Sequence, residues 1–130
     1  MAYIKSIITS SILSTDMANA ADLKLKFAMH CKTNPDHSAS TKEDKQLLSN
    51  VILHSCDIST SLRDFDVSTQ WADLLFEEYF AQGDKEKEAG LEISFLCDRT
   101  TTNIAVGQPG FIEHMVIPVF VQLSHVCPDI

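Results

Sequence analysis

Residues 70–83 read QWADLLFEEYFAQG. Trp71, Leu74, Leu75 and Tyr79 stand at i, i+3, i+4 and i+8, a spacing that gathers them on one face of a 3.6-residue helix. Gly83 follows the last apolar residues and reads as the left-handed cap that ends this helix. No strand alternation of useful length occurs on either side, so the fold class is all-α.

Downstream, Asp84 to Glu88 reads as a solvated charge run and Gly90 to Gly107 as a long loop with a short helical turn. Pro109 suits the first position of a last helix, which carries Phe111, Met115, Val119 and Leu123 and is kinked at Pro118. Upstream, Ser59 to Asp64 breaks a helix that runs from a Ser40 or Thr41 cap through Leu47, Leu48, Val51 and Ile52 towards Asp57. Glu43 and Asp44 fall in its first turn, where carboxylates favour the positive end of the helix dipole. Thr33 to Thr41, with Asn34-Pro35-Asp36 and several serines, is a surface loop. Leu23 and Phe27 stripe a helix over Asp22 to His30, and Ile4, Ile8 and Ile12 mark the face of an opening helix.

Composition bounds the partners. The chain has 130 residues, 45% hydrophobic and 22% charged, with a formal net charge of −8 and a mean hydropathy of +0.01. That is one globular domain or a piece of one. A protein that binds duplex nucleic acid needs a basic patch against the phosphates, and none is present, so nucleic acid is not an expected partner. Cys31, Cys56, Cys97 and Cys127 form no C-x-x-C pair; they read as reduced thiols in an intracellular, cytoplasmic protein. No apolar run reaches the roughly 20 residues that span a bilayer. The first 20 residues resemble a weak secretory leader, but six Ser and Thr interrupt their apolar run, so they read as a helix of the protein.

Two groups of residues could carry chemistry. His54 and Asp57, at i and i+3, share a helix face, and an imidazole and a carboxylate so placed could bind a divalent metal in one cleft or orient one another. A polar pair at a helix end has the same spacing. Gln108 stands between Gly107 and Pro109; its amide offers a donor and an acceptor side by side, which matches a purine edge. Phe111, three residues on, could stack on a base. A polar residue near a helix start followed by a core phenylalanine has the same pattern. Glu86, Glu88 and Glu92 read as a solvated face, Asp16 has no partner that spacing identifies, and His30, His37, His114 and His125 stand singly.

Taken together these segments resemble one family. His54-Ser55-Cys56-Asp57-Ile58-Ser59 is similar to the H-x-A-D-[LI]-S signature of class I cyclic-nucleotide phosphodiesterases. Gln70-Trp71 with Glu77 to Glu86 resembles that family's Q-W…E-E-F-F-x-Q-G-D-x-E. Glu92 to Arg99 resembles its E-I-S-P-x-C-D-[KR], and Gln108 to Ile112 its Q-x-G-F-[IV]. Ser14-Thr15-Asp16-Met17 with Ala21-Asp22-Leu23-Lys24 resembles A-T-D-M…A-D-L-K. The motifs come in family order and cover nearly the whole chain.

The resemblance implies a multi-helix bundle of the HD-domain type, of which residues 1–130 would be the C-terminal portion. It implies hydrolysis of cAMP or cGMP at a two-metal site, one metal zinc, the other magnesium or manganese, with a hydroxide between them attacking phosphorus. By resemblance Asp57 is a metal ligand and His54 a supporting residue. Gln108 pairs with the purine, and Phe111 stacks on it. Leu75, Tyr79 and Leu96 line the pocket, while Asp16 and Met17 lie near its metal end. The family's two other histidine ligands, its bridging aspartate and its proton-donating histidine precede the segment seen here, so the chain alone is expected to be inactive. Thr60-Ser61 replaces the Asn-Pro of many members, which leans away from cAMP and towards cGMP or dual use. The alternative is a non-catalytic truncated fragment that binds a nucleotide or a protein. A half-bundle should expose apolar residues where the missing N-terminal half would pack, with Leu13, Leu48, Trp71, Phe76 and Phe111 as candidates, and could form homo-oligomers.

Overall fold

Thr41 sets the start of the best-defined helix. Its hydroxyl accepts from the amide of Asp44 at 3.0 Å, while the Asp44 carboxylate accepts from the amide of Thr41 at 3.0 Å. This reciprocal box satisfies two of the donors a helix start leaves unpaired, a contribution of about 1 kcal/mol. In the computed structural model, which describes residues 2–34, 39 and 41–127, the helices are α1 (Ala2–Leu13), α2 (Ala20–Thr33), α3 (Lys42–Asp57), α4 (Phe65–Glu88), α5 (Ile104–Phe111) and α6 (Ile117–Val126). Short 3₁₀ turns cover Met17–Asn19 and Ile58–Leu62, and a π turn covers Ile112–Val116. No strand occurs among the described residues, so the all-α expectation holds. Residues 35–38 of the expected loop, with His37, and the alternative cap Ser40 lie outside the described residues.

The chain divides into two compact units, residues 1–59 with 115–130, and residues 60–114. In the first, Leu23 and Phe27 of α2, Val51 of α3 and Leu123 of α6 form the core, with Leu47, Leu48, Cys31, Cys127 and Val126 packed against it. Burying each large apolar side chain contributes roughly 1.5–3 kcal/mol. α1 docks on α3 differently. Its Ile4, Ile8 and Ile12 do align on one face, but that face is more than half exposed. The buried residue is Ser11, whose hydroxyl donates to Asn50 Oδ1 at 3.1 Å, and Gln46 Nε2 donates to the same oxygen at 2.7 Å. Periodicity identified the helix and not its inward face, because polar side chains made the contact. His30 also departs from the expectation that it stands alone, with Nδ1 3.3 Å from Asp44 Oδ1.

In the second unit α4 is longer than its sequence suggested. It continues through Gly83 and the charged residues to Glu88, and Gly90 at φ +69° supplies the left-handed residue just beyond the Ala89 cap. Gly83 is buried inside the helix because the backbone of Cys97 lies on it. Phe76, expected at an exposed apolar face, is 2% exposed and forms ring contacts with Tyr79 and Phe80. Of the other candidates for that face, Trp71 is 55% exposed and Leu13 65%, whereas Leu48 packs against the core of the first unit and Phe111 is half-buried.

The last helices begin earlier than Pro109. Asn103 caps α5, its side chain accepting from the amide of Val106 at 3.3 Å, so Pro109 sits inside α5 and Pro118 in the first turn of α6. A proline inside a helix removes one backbone bond, and the π turn that follows Pro109 absorbs the misfit. With the helix continuing past both prolines, Ile104–Val126 becomes a 23-residue stretch long and apolar enough to cross a membrane by length and composition. That corrects the expectation of no such run. Val116, Val119 and Leu123 within it are buried protein residues.

Candidate functional site

In the first unit, His54 and Asp57 lie in the last turn of α3. They do not open into a common cleft. His54 is 2% exposed and lines a small interior cavity with Phe27, Val51, Val119 and Gln122, while Asp57 is exposed to solvent. Burial lowers the pKa of His54 below the usual imidazole range, and the nearby Asp57 charge opposes that shift. Asp16 caps the 3₁₀ turn, its carboxylate accepting from the amide of Ala18 at 2.9 Å. Met17 is 45% exposed beside it. A broad concavity of this unit, between α1, α2 and α3, is lined by none of these residues.

Among the described residues no three His, Cys, Asp or Glu side chains are grouped so that they could hold a metal ion. Asp57 therefore offers one carboxylate, and the described residues do not make a metal centre by themselves. A zinc or magnesium site needs several ligands converging on one point.

The second unit carries Thr60, Leu75, Tyr79, Leu96, Gln108 and Phe111. Leu75 and Tyr79 are four residues apart on α4 and so share a face. Gln108 and Phe111, three apart on α5, are likewise neighbours, and both are half-buried. The Gln108 amide makes no hydrogen bond among the described residues, and a Cβ built at Gly107 or Gly110 would meet nothing within 4 Å. An unengaged amide beside an aromatic ring, on a stretch of helix with open space around its glycines, has the parts needed to hold a base edge-on and face-on. The Thr60 carbonyl accepts from the Ser68 hydroxyl at 2.7 Å, tying the 3₁₀ turn to α4.

Leu96 is positioned by an anchored loop. Residues 91–99 fold back on the C-terminal half of α4. Glu86 accepts from Gln82 Nε2 at 2.8 Å and from both the amide and the hydroxyl of Ser94 at 2.7 Å. Asp84 takes two hydrogen bonds from Arg99, whose guanidinium also lies over the Phe80 ring at 5.4 Å. Asp98 accepts from the amide and hydroxyl of Thr100. Between these anchors Leu96 adopts φ +66°, a left-handed conformation that costs a leucine roughly 1–2 kcal/mol. The sequence did not single out Gln82, Ser94 or Arg99 for these roles. The signal was there only as the neighbouring Q-G-D-x-E and E-I-S…C-D-R segments, whose pairing is long-range.

These features define an all-helical protein in which an amide and an aromatic ring share one turn of α5 and a carboxylate ends α3. The chain belongs to the 3'5'-cyclic nucleotide phosphodiesterase family, whose sequence profile matches residues 1–130. It is 38% identical over 117 residues to the high affinity cGMP-specific 3',5'-cyclic phosphodiesterase 9A of Homo sapiens, covering 90% of this chain and 19% of that protein. It is also 38% identical over 114 residues to the dual specificity calcium/calmodulin-dependent 3',5'-cyclic nucleotide phosphodiesterase 1B of Bos taurus, covering 88% of this chain and 21% of the relative. The solved structure of leishmanial LmjPDEB1 in complex with IBMX superposes with a TM-score of 0.86 at 29% identity, covering 95% of this chain and 36% of that one. The chain thus spans about a fifth of the length of the curated relatives it matches.

Proposed function

We propose that residues 1–130 are the C-terminal portion of a catalytic domain that hydrolyses 3',5'-cyclic nucleotides to 5'-monophosphates. The observation that carries this reading is the unengaged amide of Gln108 one turn from Phe111 in a chain that matches the family throughout. Gln108 pairs with the purine edge and Phe111 stacks on the base, while Leu75, Tyr79 and Leu96 supply apolar walls and Thr60 contacts the substrate. Asp57 is one ligand of a zinc and magnesium or manganese site completed by residues outside this chain, with His54 and Asp16 in supporting positions. Thr60, in place of asparagine, supports cGMP or dual use, as do the cGMP-specific and dual-specificity names of the relatives.

The exposed Ile4, Ile8, Ile12 and Leu13 support packing against the rest of such a domain, or against a second copy. Four free thiols support a reducing, intracellular location.

Hydrolysis of cAMP and cGMP, measured for residues 1–130 alone and for the complete polypeptide with these metals supplied, tests the reading. Background rates from the former and turnover by the latter are expected, with Asp57→Ala abolishing that turnover. A complete polypeptide that hydrolyses neither nucleotide overturns the phosphodiesterase reading. Robust turnover by residues 1–130 alone overturns the division of the site.

A further inference from the structure

A cavity of about 10 Å³ lies inside the first unit, between α2, α3 and α6. Most of its lining is apolar: Leu23, Phe27, Val51 and Val119. Three polar side chains interrupt that wall, Lys24 from α2, His54 from α3 and Gln122 from α6. Among the described residues neither ring nitrogen of His54, nor Oε1 of Gln122, has a hydrogen-bond partner. Each such orphan is costly: a buried polar atom left unpaired destabilises by roughly 1–3 kcal/mol. The cavity has about the volume of one water-sized probe, too small for any organic ligand and enough for a single water.

We propose that this cavity is the site of one structural water, bonded to an imidazole nitrogen of His54 and to Oε1 of Gln122, which joins α3 to α6. A water both donates and accepts. One hydrogen goes to the amide oxygen, which can only accept, and the second bond meets whichever face the imidazole nitrogen presents, donor or acceptor. The bridge gives one ring nitrogen of His54 and Oε1 of Gln122 a partner in a wall that, Lys24 apart, is otherwise apolar. It also explains why α6 carries Gln122 directly beside the core residue Leu123. Nothing in it depends on metal binding by Asp57.

A high-resolution crystal structure of the chain tests the bridge directly. The expected result is an ordered oxygen within about 2.7–3.2 Å of both a His54 ring nitrogen and Gln122 Oε1. In Gln122→Met, which keeps length and removes the acceptor, the oxygen should be lost and the His54 ring nitrogen resonances should shift. A wild-type map with no oxygen there, or with one that touches only one of the two groups, overturns the proposal whether or not the variant folds. Unchanged His54 resonances in a folded Gln122→Met protein overturn it as well.

Discussion

The carbonyl oxygen of Cys97 lies 2.0 Å from where a Cβ on residue 83 would stand. Gly83 is therefore required by contact and not by backbone conformation, since it sits in the regular helix of α4. The neighbour is backbone, anchored on both sides by the Glu86–Ser94 and Asp84–Arg99 contacts, so it cannot yield cheaply.

Gly83→Ala should destabilise the protein by roughly 1–3 kcal/mol, the usual range for overpacking. At an open helical site the same substitution would stabilise by up to about 1 kcal/mol, so the sign itself is diagnostic. Denaturant midpoints of the two proteins decide it. An alanine variant as stable as the parent would mean that the loop does not lie on the helix.

The same loop should loosen in acid. The Ser94 amide and hydroxyl, then Gln82, hold the Glu86 carboxyl below its usual range. A carboxyl depressed in the folded state contributes stability that is complete above its unfolded value, about 4.3, and is lost as pH falls through the lower folded value. Hydrogen-exchange protection at the Ser94 amide should fall over that window and be insensitive to pH in Glu86→Gln. Equal pH profiles in the two proteins would remove the carboxylate from this role.

His54 should produce a second acid dependence at higher pH. Burial depresses its pKa, so the folded protein holds it neutral while the unfolded chain takes up a proton near pH 6.5. Its contribution is complete above that value and declines as pH falls towards the depressed folded value, by at most about 1.4 kcal/mol per pH unit. Stability measured between neutral and mildly acid pH should show this slope in the wild type and lose it in His54→Leu. A slope that persists in the variant assigns the effect to another group.

Gln108→Ala in the complete protein should raise KM for cyclic nucleotide with a smaller effect on kcat. One lost hydrogen bond corresponds to roughly 0.5–1.5 kcal/mol, and more where the base is left unpaired. Phe111→Ala should act in the same direction by about 1–3 kcal/mol through lost stacking. Steady-state kinetics on cAMP and cGMP separate the two parameters. A collapse of kcat at constant KM would place this turn of α5 in the chemistry and not in purine binding.

The amino-acid sequence by itself determined the helices and the family. Four-residue apolar spacing in α1 and the Thr41 cap are local features, and so is the i+3 relation of Gln108 to Phe111; local hydrogen bonding and side-chain period dictate them. Only the tertiary structure decided which faces are buried. The isoleucine stripe of α1 points outward because Ser11, Asn50 and Gln46 make the inward contact. His54 and Asp57 look equivalent three residues apart, yet one enters the core and the other meets solvent. Gly83 read as a helix end because a glycine's usual signal is conformational, whereas here the cause is a backbone fourteen residues further along the chain. Contacts across such separations depend on how elements dock, and spacing along one element carries no record of the neighbour it will meet.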